Sequence, residues 1–238
     1  MLKIENITKS YGDKVAVSNL SLDIREGEIC AFIGHNGAGK TTTLKACAGI
    51  LTADSGNIYV EGKSVKEEPL AVKQVMAYIP DNPDMYEFLS GIKYLNFIAD
   101  VYGVGAEERN ERIQSLADGF GLTESLGGAI STYSHGMKQK LALIAAFLHR
   151  PRLILMDEPF VGLDPKASHL LKEMMREHCA EGGSIFFSTH VLDVAEKLCD
   201  RVAIIKDGSL VVHGKMDEVR GDSSLEEVFL ELEAEENA

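Results

Sequence analysis

Ile29-Cys30-Ala31-Phe32-Ile33-Gly34-His35-Asn36-Gly37-Ala38-Gly39-Lys40-Thr41 runs from a continuous apolar stretch into a glycine-rich segment, and helix-compatible residues 42–48 follow. Five apolar residues in a row suit a strand covered on both faces. Gly34 through Thr41 fits the spacing G-x-x-x-x-G-K-[ST]. A triphosphate needs many donors converging in a small space. Successive backbone N–H groups supply them only where the chain curls tightly, through small residues and left-handed backbone. Gly34, Gly37 and Gly39 are placed for that curl, with His35, Asn36 and Ala38 between them. A helix opening near Lys40 aims its positive end at the anion. Lys40 adds a mobile charge for the β- and γ-phosphates, the Thr41 hydroxyl suits Mg²⁺, and Thr42 reaches the α-phosphate. The segment therefore predicts a strand, a phosphate loop and a helix that hold a nucleotide.

The chain on either side is read against this unit. Upstream, Leu2 to Ile7 and Val15 to Ile24 alternate apolar and polar residues around a turn at Tyr11-Gly12-Asp13. That period of two predicts an antiparallel sheet with one solvated face. Downstream, 75–79 reads as a strand, and Pro80 and Pro83 break the chain. From 90 to 149 apolar residues recur at helix spacing, interrupted by glycines. Buried-strand runs return at 153–156 and 185–187, flanking a helix at 166–180. Asp207-Gly208 joins a late hairpin, 201–206 with 209–213. The expected fold is α/β: a phosphate-loop core on a mostly parallel sheet, an N-terminal antiparallel β-subdomain and an inserted helical subdomain at about 85–149. The main domain is expected over 1–215, with an acidic helical tail over 216–238, helical at 225–236.

Leu153-Ile154-Leu155-Met156 ends in Asp157-Glu158-Pro159. Neighbouring side chains at a strand end diverge, so the two carboxylates can take separate tasks. Asp157 is placed to hold Mg²⁺ beside Thr41. Glu158 is placed to polarise the water that attacks a γ-phosphate, because phosphoryl transfer depends on positioning more than on covalent chemistry.

Composition narrows the partners. The 238 residues carry a formal net charge of −13, with 45% hydrophobic and 26% charged residues. That balance lowers the expectation of nucleic-acid binding or of adhesion to anionic lipid. The four cysteines show no CxxC spacing, so buried thiols in a reducing compartment are expected rather than zinc or disulfides. No apolar run approaches the ~18 residues of a membrane span. The opening residues lack a signal-peptide core, so a cytoplasmic chain is expected, reaching the inner face of a membrane only through a partner.

Taken with the loop and the acidic pair, the sequence resembles the ATP-binding cassette (ABC) transporter ATPases from about Leu2 to Gly214. Tyr133-Ser134-His135-Gly136-Met137 is similar to the family's signature segment, Gly162-Leu163-Asp164-Pro165 to its D-loop, and His190 to its switch histidine. Tyr11 stands where the family stacks an aromatic ring on adenine. The resemblance implies an ATPase using ATP and Mg²⁺, with Glu158, His190 and Lys40 in the chemistry. It implies that Ser134 and Gly136 of the signature act on the nucleotide of a second cassette, identical or sister, that Asp164 of the D-loop belongs to the nucleotide-binding residues, and that a separate transmembrane permease docks on the helical insertion and residues 80–90. Ser134 is also a natural N-cap for the helix beginning near Met137.

Two departures from the family pattern stand out. Tyr133, His135 and Met137 replace the usual leucine, glycine and glutamine of the signature, and Asp81 replaces the usual glutamine that ligates Mg²⁺ and relays to the permease. A carboxylate there can still reach the metal through water. With Tyr-Ser-x-Gly-Met-Lys-Gln, this pattern resembles bacterial exporters of drugs, peptides, lipids or polysaccharides. Two other readings stay open: a soluble ABC-type ATPase acting on nucleic acid or ribosomes, against which the acidic charge stands, and a non-hydrolysing nucleotide-binding regulator, against which Glu158 and His190 stand.

Overall fold

The apolar run becomes β3 (Ile29–Ile33), every residue of which is buried. A computed structural model describes residues 1–234 and sets this strand at the centre of a six-stranded sheet. Its parallel neighbours are β8 (Ser184–Thr189) and β9 (Arg201–Lys206). Beyond β8 come β7 (Leu153–Asp157) and β6 (Met76–Ile79), also parallel. β10 (Ser209–Lys215) closes the far edge antiparallel to β9, through the turn at Asp207-Gly208. β7 and β8, like β3, are buried throughout. Continuous apolar runs with helices on both faces are what a parallel sheet requires.

The N-terminal alternation forms a second sheet. β1 (Leu2–Tyr11) and β2 (Lys14–Ile24) pair antiparallel, from Leu2 opposite Ile24 to Tyr11 opposite Lys14. Leu2, Ile4, Ile7, Val17, Leu20, Leu22 and Ile24 face inward, onto a core shared with Cys30 and Phe32 of β3. The sheet order is β2-β1-β4-β5, with β4 (Ser55–Val60) and β5 (Lys63–Ser64). Neither β4 nor β5 is among the strands expected from the sequence, although Ile58 and Val60 alternate before the Gly62 turn.

The phosphate-loop helix is α1 (Lys40–Cys47), and α2 (Pro69–Gln74) precedes β6. Between β6 and β7 lie α3 (Gly91–Val101), α4 (Ala106–Phe120) and α5 (His135–Leu148). Ser90 caps α3 and Ser134 caps α5, each hydroxyl accepting from a backbone N–H three residues on. α5 therefore starts at His135, two residues before the expected position, because its cap lies at Ser134. α6 (Pro165–Ala180) carries Pro at its first position and Asp164 as its cap. α7 (Leu192–Leu198) follows β8. α8 (Met216–Arg220) and α9 (Leu225–Ala234) complete the described chain. The tail helix was expected to run to Glu236, whose last two residues lie outside the described residues. All four cysteines are buried. Burial pushes the Cys30, Cys47 and Cys179 thiols up to about 12, so they behave as small apolar groups.

Candidate functional site

The register of the parallel sheet brings three strand ends to one place. Ile33 pairs with Thr189, and Asp157 pairs with Ser188. Open α/β sheets bind ligands beyond such carboxyl ends. A cleft of about 320 Å³ opens there, lined by His35, Asn36, Gly37, Gly39, Lys40, Thr41 and Thr42 of the loop, by Asp81, Asp157 and Glu158, and by Tyr11, Lys14 and Ala16 of the N-terminal sheet.

The loop curls for two different reasons. Gly37 and Gly39 have φ of 86° and 110°, the left-handed region that glycine permits. Gly34 does not, contrary to the expectation of left-handed backbone at all three glycines. A Cβ on Gly34 would lie 2.4 Å from the Ile205 carbonyl oxygen of β9, so glycine is needed there for close approach. Ala38 is buried beneath the loop.

Lys40 lies inside that curl. Its Nζ donates to the Gly34 carbonyl, and to the His35 carbonyl at 3.2 Å, and stands 3.9 Å from Glu158 Oε1. Burial pulls the ammonium below its ordinary range, against the opposing pull of the Glu158 and Asp157 charges.

The acidic pair diverges as expected. Asp157 is 2% exposed and accepts from Thr41 Oγ1 at 2.6 Å and from Ser188 Oγ at 2.5 Å. Glu158 takes left-handed backbone, φ 48°, and its N–H donates to the same Ser188 Oγ at 3.0 Å. That turn sends its carboxylate the other way, where Oε2 lies 2.9 Å from His190 Nδ1. No motif of the sequence assigns Ser188 a role. A hydroxyl directly after the apolar run Ile185-Phe186-Phe187 is the signal that could have found it.

Asp81 lines the cleft at the end of β6. Near it the Tyr78 hydroxyl is buried with no hydrogen-bond partner among the described residues, and burial together with the Asp157 and Asp81 charges pushes it up. Among the described residues no group of three or more His, Cys, Asp or Glu is placed to hold a metal alone. Mg²⁺ does not ask for one: it takes one or two protein oxygens and fills its octahedron with water and phosphate oxygens. The adjoining oxygens of Thr41 and Asp157 fit that demand.

Tyr11 lines the cleft at the end of β1, half exposed. Lys14 and Ala16 join it there, and nothing in the sequence singled them out. Ser134, Gly136 and Asp164 do not line this cleft. Instead the start of α5, which carries Gly136, packs against the 162–164 segment. A Cβ on Gly136 would fall 2.6 Å from the Gly162 carbonyl oxygen. Asp164 Oδ2 accepts from Lys140 of α5 at 2.6 Å, while Oδ1 accepts from Ala167 N–H at 2.9 Å. Buried Gln139 reaches the Pro159 carbonyl at 3.4 Å. The capped start of α5 is thus fastened to the segment that follows Glu158.

Residues 17–161 match the family described as ABC transporter. The chain belongs to that family, as an ATP-binding ATPase domain. It is 34% identical to the ABC-type transporter ATP-binding protein EcsA of Bacillus subtilis over 99% of this chain and 98% of that one. The linearmycin resistance ATP-binding protein LnrL of the same organism is 36% identical over 90% of this chain and 69% of its own length. A solved structure, an ATP-binding subunit of an ABC transporter, superposes with a TM-score of 0.94 at 35% identity, covering 98% and 99% of the two chains. The ABC ATPase fold, with its antiparallel and mostly parallel sheets, is the expected α/β architecture. No helix among the described residues is long and apolar enough to cross a membrane.

Proposed function

We propose that this ABC ATPase hydrolyses ATP to drive a membrane exporter, working as a pair of cassettes beneath a separate permease. The observation that carries this reading is one cleft in which the Thr41–Asp157 pair and Glu158 lie around Lys40, with His190 held at the Glu158 carboxylate from outside the lining. Backbone N–H groups of 34–41 and the start of α1 cradle the phosphates, with Lys40 on the β- and γ-oxygens and Thr42 toward the α-phosphate. Tyr11 faces the adenine. Thr41 and Asp157, with Asp81 through water, would hold Mg²⁺, which neutralises charge developing on the phosphates. Glu158 orients the attacking water, and His190 fixes the Glu158 carboxylate and faces the γ-phosphate.

Ser134, Gly136 and Asp164 act on the nucleotide of the opposing cassette, which fits their place outside their own chain's cleft. The reading treats 1–215 as the ATPase domain, 85–149 as its helical insertion and 216–238 as an acidic tail. The permease docks on the helical side, where Tyr86, Phe88 and Phe97 form an exposed aromatic cluster with ring centroids 5.9 Å apart. Phe88 is 81% exposed, a cost in water that a covering partner removes. Contact with the inner face of the membrane then runs through the permease. Export is supported by the resemblance of the 133–139 segment to exporter ATPases and by the linearmycin-resistance relative. The test is a Glu158→Gln variant loaded with ATP and used to capture proteins from native membranes. A co-purifying membrane-spanning subunit whose loss makes cells retain its substrate supports the reading. Uptake by that subunit, or no spanning subunit at all, refutes it.

A further inference from the structure

The turn between β9 and β10 touches both walls of the nucleotide cleft. Gly208 N–H donates to the Ala38 carbonyl of the phosphate loop at 3.0 Å, and the Gly208 carbonyl accepts from Ser18 N–H of β2 at 2.8 Å. One residue, through its N–H and its carbonyl, therefore joins the loop to the strand carrying Lys14 and Ala16. The fit around it is tight. Gly208 has φ 80°, and a Cβ there would lie 2.9 Å from the Ala16 carbonyl oxygen. The same Ala16 oxygen lies 2.4 Å from the Cβ position of Gly39. It is wedged between two glycines, one in the phosphate loop and one in the hairpin turn. His35 Nε2, 3.9 Å from Asp207 Oδ1, adds a second contact between the same two segments.

We infer that Gly208 is a positioning residue that fixes the distance between the phosphate-binding and base-binding halves of the cleft. The inference rests on the proposed placement of adenine beside Tyr11 and β2. Phosphates held on the loop and a base held on the N-terminal sheet add their binding energy only if both halves are pre-set at the span of one nucleotide. A side chain at 208 pushes Ala16 and β2 away while the loop keeps its own curl.

The test compares ATP with inorganic tripolyphosphate, which offers the phosphates without a base. Binding of each is measured by calorimetry for the wild type, Gly208→Ala and Gly62→Ala. Gly62 has φ 77° with nothing within 4 Å of its Cβ position, so it reports backbone strain without crowding. Wild type is expected to favour ATP. Gly208→Ala should cut that preference about tenfold while tripolyphosphate affinity stays within about twofold. Gly62→Ala should leave both unchanged. If Gly208→Ala fails to fold, Gly208→Asn replaces it, since asparagine tolerates left-handed backbone and still brings a Cβ to Ala16. An unchanged preference in a folded 208 variant, or equal weakening of both ligands, overturns the inference. A wild type that binds the two equally overturns the adenine placement itself.

Discussion

Thr41 Oγ1 donates a 2.6 Å hydrogen bond to Asp157 Oδ2, tying the first turn of α1 to the end of β7 across 116 residues of sequence. Asp157 accepts from Ser188 with its other oxygen, so its side-chain hydrogen bonds among the described residues come from hydroxyls, which leave the carboxylate charge unneutralised at the mouth of the loop. Asp157→Asn removes the charge and keeps the size. Turnover should fall about 100-fold, the scale of losing one preorganised electrostatic group, with the Mg²⁺ half-saturation point raised. ATPase rates across a Mg²⁺ titration check this, and a wild-type curve would remove Asp157 from the metal site.

Glu158 and His190 act on each other at 2.9 Å, yet their surroundings differ: the Glu158 side chain is 14% exposed and that of His190 is 57%. His190→Ala should therefore cost little stability, within about 0.5 kcal/mol by thermal unfolding, as befits a surface change. Its turnover should drop at least tenfold. Glu158→Gln should keep ATP affinity, accumulate an ATP-bound dimer by size-exclusion chromatography and lose turnover. Hydrolysis at the wild-type rate by Glu158→Gln would assign the water-orienting role elsewhere.

Lys40 carries a pH signature. Its folded-state pKa lies below the ordinary 10.5 because burial outweighs the Glu158 and Asp157 charges. Between the lowered value and 10.5 the unfolded chain holds the proton more tightly. Stability of the nucleotide-free protein therefore rises with pH through that window, and below it the buried ammonium counts against folding. ATP reverses the balance by supplying phosphate charge. Its affinity should weaken as pH approaches the lowered value, with proton uptake on binding in the alkaline range. Calorimetry from neutral pH to about 9.5 in buffers of different ionisation enthalpy measures both effects. Lys40→Ala should bind ATP weakly at every pH and show no proton uptake.

Gly136 abuts Gly162 within one chain, so the start of α5 and the segment before α6 cannot move independently. Gly136→Ala places a Cβ 2.6 Å from the Gly162 carbonyl oxygen. Relieving about 1–2 kcal/mol of such overlap should displace one segment from the other. Binding of ATP to the isolated chain should be unchanged, because Gly136 does not line its cleft. Turnover should fall about tenfold, with dimer formation by Glu158→Gln weakened when the two changes are combined.

How much of this was legible depended on how local each signal is. The phosphate loop, the acidic pair and the cap at Ser134 declare themselves through spacing, because backbone curl, strand ends and N-caps are set by neighbouring residues. β4 was missed since only Ile58, Tyr59 and Val60 of its six residues belong to an apolar alternation, and its place is set by pairing with β1. Ser188 reaches Asp157 only through the register of β7 against β8, which no short window contains. Gly34 was read for its dihedral freedom, whereas Ile205, 171 residues away in sequence, sets the requirement. The wall formed by Lys14 and Ala16 likewise comes from packing one sheet against another.

Asp81 is one of the two departures from the family's pattern, and the structure gives it a physical setting. Asp81 shares the cleft with Asp157 and Glu158, and the buried Tyr78 hydroxyl feels the Asp81 and Asp157 charges. A glutamine at 81 would offer an oxygen without adding a third negative charge. The carboxylate strengthens the pull on a divalent cation and weakens the pull on the phosphates, so Asp81→Gln should separate the two. The Mg²⁺ requirement should rise about tenfold at low ionic strength, and the difference should shrink as salt screens the exposed carboxylate. Metal-free ATP should bind the variant more tightly than the wild type, because one repulsive charge is gone. Mn²⁺ relaxation measurements read metal binding without turnover, and fluorescence titration with ATP in EDTA reads the second effect. Coincident metal-binding curves for the two proteins would place Asp81 outside the metal's reach.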